Sequence, residues 1–112
     1  MSFQLAIADE AHGDISRNAS WWAEHHSYEQ AIRWKDAVYE QLETLRTFPE
    51  RHPLAPESSE FPFDIREKPV GLGSRPSYRA VFTIQENVVL VLTVQRGAQD
   101  ALRPEDIGVD PE

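Results

Sequence analysis

The segment Val88 to Val94, Val-Val-Leu-Val-Leu-Thr-Val, constrains this chain more than any other. A strand that is apolar on both faces belongs inside a sheet rather than at its edge. The residues before it supply a neighbour. Tyr78, Ala80, Phe82 and Ile84 fall on one face of a strand, with Arg79, Val81 and Thr83 on the other. Gln85-Glu86-Asn87 between them reads as a tight turn. Upstream, Phe61, Phe63 and Ile65 alternate with Pro62, Asp64 and Arg66, which predicts a third strand ending near Lys68-Pro69. Gly71, Gly73 and Pro76 form the turn that joins it to the next. Together these segments predict a three-stranded antiparallel meander.

The first half of the chain reads differently. Phe3, Leu5 and Ile7 alternate as a short half-buried strand. Asp9 then stands where an N-cap belongs, and Ala11, Ile15, Ala19 and Trp22 recur at helical spacing up to His25-His26. Ser27 followed by Gln30 is a capping-box pattern opening a second helix. Its apolar stripe is Ala31, Trp34, Val38, Leu42, Leu45 and Phe48, and Pro49 ends it. Two helices joined by a short polar break predict an antiparallel hairpin. Residues 49–62, rich in proline, glutamate and serine, read as an extended surface connector. The expected fold is α+β: strand, helical hairpin, then three-stranded meander, all in one mainly antiparallel sheet. The whole of residues 1–112 is expected to form one domain, with a short acidic tail from about 101.

Composition removes several function classes. There is no cysteine, so a disulfide framework, a thiol nucleophile and a thiolate metal site are excluded. Neither a membrane span nor a signal-peptide pattern is visible, so a cytoplasmic location is expected. The formal net charge of −8 argues against strong direct binding of nucleic acid. One stretch departs from that acidity: residues 61–99 set Arg66, Lys68, Arg75, Arg79 and Arg96 against Asp64, Glu67 and Glu86.

The order of these elements, with Ala31 to Pro49, Phe63-Asp64-Ile65-Arg66, Ser77 to Ile84, Val88 to Val94 and Arg96-Gly97-Ala98-Gln99-Asp100, resembles the RelE/ParE toxin superfamily. These are the toxin halves of bacterial type II toxin–antitoxin modules, also called plasmid stabilisation proteins. The resemblance covers roughly residues 3 to 102. It implies a toxin-family protein with a cognate antitoxin as partner and DNA gyrase or the ribosome as possible target. In the ribonuclease branch, cleavage by the 2′-hydroxyl needs cations facing the phosphorane charge and an acid for the leaving oxygen. Position by position, the resemblance puts the tyrosine-adjacent arginine on Arg79 and a basic residue of the preceding strand on Arg66, as the catalytic candidates. The arginine expected after the last strand falls on Gln99, and nothing after Phe82 is aromatic or histidine. Two of the branch's roles are filled, which argues against an efficient ribonuclease without deciding whether the chain is an enzyme. The chain reads as more ParE-like. The alternatives are a non-toxic interaction module with the same fold and a weak ribosome-dependent mRNA endonuclease.

Partner-binding candidates are Arg66, Lys68, Arg75, Tyr78, Arg79, Arg96 and Trp21. Each has a plainer reading. Arg79 could pair with Asp64 or Glu67 across the meander, an exposed version of which would contribute only about 0–1 kcal/mol. Arg66 and Lys68 fit a solvated strand face, and Arg75 fits a glycine- and proline-rich turn. Arg96 could join Arg79 in a guanidinium cluster. Trp21 and Trp22 cannot both face inward, so one should be partly exposed. Adjacent His25 and His26 cannot both face one metal on a helix, and His12 and His52 are isolated. No metal or cofactor site is expected.

Overall fold

A computed structural model describes residues 2–97 and 102–108 of the chain. Strand β1 (Gln4–Ile7) leads into helix α1 (Asp9–His25) and helix α2 (Tyr28–Glu43), followed by strands β2 (Arg66–Val70), β3 (Tyr78–Gln85) and β4 (Val88–Arg96). The sheet order is β1-β4-β3-β2. β2, β3 and β4 form the expected antiparallel meander, and β1 pairs in parallel with β4. The doubly apolar β4 therefore lies inside the sheet. A register shift between Val81 and Phe82 leaves Leu92 as the extra residue of β4.

The helical hairpin covers one face of the sheet. Ala11, Ile15, Trp34, Val38, Leu42 and Leu45 are buried there against Val70, Tyr78, Ala80, Phe82, Val89, Val91 and Val94. Each large side chain so buried contributes about 1.5–3 kcal/mol. Ser27 caps α2 by accepting a hydrogen bond from the Gln30 backbone N–H at 3.0 Å. At α1 the N-cap is Ala8, with no side-chain bond, and Asp9 is the first helical residue. Its carboxylate still lies at the positive end of the helix dipole.

Three expectations need correction. Helix α2 stops at Glu43 and tightens into a 3-10 turn, Thr44–Arg46. The stripe accordingly ends at Leu45, and Phe48 is 65% exposed with left-handed backbone (φ 47°). The third strand begins only at Arg66, because Pro62 lacks the N–H a ladder uses, and residues 61–63 run as bends followed by irregular chain at 64–65.

The connector is not an extended surface segment. It folds into 3-10 turns at Pro49–Arg51 and Pro56–Glu60 and lies across the second face of the sheet. Ala55, Phe61 and Ile65 are buried there with Val81, Leu92 and Leu102. The reason is visible in the meander itself: Val81 and Leu92 point away from the helices, and an uncovered apolar face would stay in water.

Candidate functional site

Arg79 projects from β3 on the connector side. Its guanidinium donates to Glu67 Oε1 at 2.7 Å and to Gln95 Oε1 at 2.7 Å, and grips the Glu57 carboxylate through both terminal nitrogens. Register explains two of these contacts. Gln95 is the cross-strand partner of Arg79 on β4, and Glu67 lies diagonally across β2 on the same face. The 3-10 turn Pro56–Glu60 brings in the third, and Glu57 is only 8% exposed. Glu57 also accepts the Leu102 backbone N–H at 2.8 Å, so one carboxylate ties connector, sheet and C-terminal segment together.

The electrostatics follow from this packing. Hydrogen bonding to Arg79 holds the Glu57 carboxyl down at about 2 against the opposing effect of burial. Glu57, and then Glu67, push the Arg79 guanidinium above its ordinary value. Of the two partners expected for Arg79, Glu67 is present. Asp64 instead uses its backbone carbonyl to accept from the Thr83 hydroxyl at 2.9 Å. Beside this node lies an open cleft of about 690 Å³ walled by Pro53, Pro56, Pro69 and Pro76.

Tyr78, the next residue along β3, points to the opposite face. It is buried against Trp34, with ring centroids 4.9 Å apart. Its hydroxyl has no hydrogen-bond partner among the described residues. Arg96 stands opposite Tyr78 in the register, and its guanidinium carbon lies 5.9 Å from the Tyr78 ring and 5.1 Å from the Trp21 ring. Arg79 and Arg96 are thus on opposite faces, and the guanidinium cluster does not form. Trp21 and Trp22 are both half-buried; His25 stacks on Trp21 and His26 lies against Trp22.

Arg66 and Lys68 share the helix-side face of edge strand β2. Arg66 donates to the carbonyls of Glu50 at 3.1 Å and His52 at 2.6 Å. Arg75 is exposed in the β2–β3 turn. Gln99 lies outside the described residues. The sequence-predicted cations are therefore divided among four places: Arg79 on the connector face, Arg96 with Trp21 and Tyr78 at the hairpin end, Arg66 with Lys68 at the sheet edge, and Arg75 in the β2–β3 turn. Glu57 and Gln95 were not singled out from sequence. A lone glutamate in a proline-rich stretch gives no signal that it will be buried, and Gln95 becomes informative only once its register with Arg79 is known.

Among the described residues, no helix is long and apolar enough to cross a membrane. No group of three or more histidine or acidic residues there could hold a metal ion. No curated protein matches the sequence.

Solved structures define the class of fold. The chromosomal ParDE toxin–antitoxin system from P. aeruginosa matches with a TM-score of 0.70 at 19% identity, over 85% of this chain and 96% of that one. A mutant of the E. coli toxin RelE in the free state matches with a TM-score of 0.50 at 19% identity, over 88% of this chain and 86% of that one. The fold is that of the RelE/ParE toxins. The family is shown by sequence: the model for the ParE toxin of the type II toxin–antitoxin system parDE matches residues 5–101. The chain belongs to that family and is a toxin-family component of a type II toxin–antitoxin system.

Proposed function

We propose that this chain acts as a ParE-like toxin restrained by a cognate antitoxin, and that it works by binding a protein target, DNA gyrase, rather than by cutting message on the ribosome. The observation that carries this reading is the state of Arg79. A cation that stabilises a phosphorane has to face the phosphate, and its charge has to be available there. The Arg79 guanidinium faces two carboxylates and an amide oxygen instead. Releasing it would strand Glu57, a buried carboxylate, at a cost of several kcal/mol.

The net charge supports the same reading, since an acidic surface disfavours contact with ribosomal RNA. On this account Arg79 holds the connector to the sheet and Tyr78 is buried in the core, so neither presents itself to a partner, and Arg66, Lys68, Arg75, Arg96 and Trp21 remain the candidates for binding protein.

Purified chain added to a gyrase supercoiling assay and to a translating extract tests the proposal. Inhibited supercoiling with intact message is the expected outcome. Ribosome-dependent cleavage that disappears in Arg79→Ala, with supercoiling unaffected, would overturn it. Co-expression with the neighbouring reading frames checks the antitoxin: the chain should co-purify with one of their products.

A further inference from the structure

The edge of the sheet at β2 carries a charge pattern at odds with the rest of the molecule. Arg66 and Lys68 occupy alternate positions of β2 and so share a face. Arg66 is bonded to the carbonyl of His52, whose ring stands edge-on to Phe82 with centroids 5.9 Å apart. Arg51 precedes that histidine. Burial, followed by the charges of Lys68, Arg51 and Arg66, holds the His52 imidazole below its ordinary value. Burial and Arg51 do the same to Lys68. Three cations therefore crowd one imidazole.

Among the described residues, no carboxylate forms an ion pair with Arg51, Arg66 or Lys68, although the sequence holds 19 acidic residues. Glu50, next in sequence, contributes only its carbonyl.

Apolar side chains flank the same patch. Phe48 is 65% exposed, and its φ of 47° and ψ of 53° place a bulky residue in the left-handed region. That conformation is unfavourable for a side chain with a Cβ and persists only where the surroundings impose it. The turn that follows returns Arg51 to it, with the Arg51 N–H donating to the Phe48 carbonyl at 3.2 Å. Leu54, 48% exposed, is bridged to Arg66.

We propose that Phe48, Arg51, Leu54, Arg66 and Lys68 form a docking surface for an acidic, partly apolar protein segment, whose carboxylates sit over the cations and whose apolar side chains cover Phe48 and Leu54. The assignment of that segment to the antitoxin rests on the toxin–antitoxin reading above. A carboxylate arriving here meets half-buried Arg66 and Lys68 beside exposed Arg51, cations that repel one another, so its arrival relieves as well as attracts. The two exposed apolar residues favour a protein segment over a phosphodiester chain. The acidic remainder of the surface also repels any long polyanion that continues past the patch.

Nuclear magnetic resonance of the full chain, read at the histidine ring signals, tests the surface. The probes are a short synthetic peptide alternating glutamate with leucine and a uridylate oligonucleotide of equal charge. The peptide is expected to move the His52 signals and to raise the His52 titration toward the ordinary histidine value. His12, His25 and His26 should stay in place and report an intact fold. Arg51→Gln with Lys68→Gln is expected to weaken the peptide by about tenfold or more, and Lys35→Gln on α2 to leave it unchanged. An unmoved His52, or an oligonucleotide that moves it at lower concentration than the peptide, would overturn the proposal. Failure of the wild-type chain to co-purify with any neighbouring product would sink the antitoxin assignment while leaving the peptide result standing. Undiminished affinity of the Arg51→Gln/Lys68→Gln variant for a co-purified antitoxin would sink the docking surface alone.

Discussion

Glu57 and Arg79 lie 22 residues apart in the chain and meet side chain to side chain on the face of the sheet away from the helices. The contact joins a proline-rich connector to the strand that carries the family's tyrosine-arginine pair. Both side chains are largely out of water, at 8% and 15% exposure, so the ion pair has little solvent to replace either partner. Breaking one side of such a pair is far more costly than replacing both.

Arg79→Met should therefore lower unfolding free energy by about 3–5 kcal/mol. The double variant Arg79→Met with Glu57→Leu should recover much of that loss. Urea denaturation of the three proteins checks this, and equal destabilisation by the single and double variants would contradict the pairing.

Acid should unfold the protein through the same residue. A glutamate with an ordinary value of 4.5 that is held at about 2 in the folded state gives stability fully present above pH 4.5. That stability is lost as pH falls from 4.5 toward 2, and amounts to on the order of 3 kcal/mol. Denaturation midpoints measured across this window should fall steeply for the wild type. They should fall less steeply for Glu57→Gln, which is weaker at neutral pH to begin with.

Gly71 closes the end of β2 against α2. Its N–H donates to Gln41 Oε1 and its carbonyl accepts from Gln41 Nε2, both at 2.9 Å. Its φ of 128° disfavours any other residue, and an added Cβ would meet Trp34 Nε1 at 3.4 Å. Gly71→Ala should cost about 1–3 kcal/mol, seen as a lower thermal midpoint, with the near-ultraviolet signal of Trp34 changed.

Phe48 offers the opposite sign. Glycine there removes left-handed strain while surrendering little buried area, so Phe48→Gly should raise stability by about 0.5–1 kcal/mol. The docking surface loses an apolar anchor in the same variant. A more stable protein that binds the acidic peptide less well is the expected combination.

Much of this architecture was legible in the sequence, and the residues show where legibility stopped. Ala31, Trp34, Val38, Leu42 and Leu45 were readable because helical spacing is a local property, and all five are buried. The doubly apolar Val88 to Val94 announced an interior strand, and β4 lies between β1 and β3. Phe48 continued the spacing but not the structure, because the chain had already tightened into a 3-10 turn. The connector departs from its sequence pattern for a related reason. Proline and serine mark it as irregular, yet irregular backbone can still bury Ala55 and Phe61 when a sheet face needs cover. The Arg79 partner Glu67 could be foreseen from the meander, whereas Glu57 depends on where that irregular segment lands. Arg66 and Lys68 could be read from alternation as one strand face, whereas Arg51 and His52 carry no such pattern and join them only because the connector returns past β2.

The central claim is that this toxin-family chain acts on a protein and not on message. Its most direct measurement is relaxed-plasmid supercoiling by DNA gyrase with increasing amounts of the purified chain, run beside message integrity in a translating extract. The account predicts that supercoiling falls while message stays whole. Unimpaired supercoiling together with ribosome-dependent cleavage of the message would contradict it.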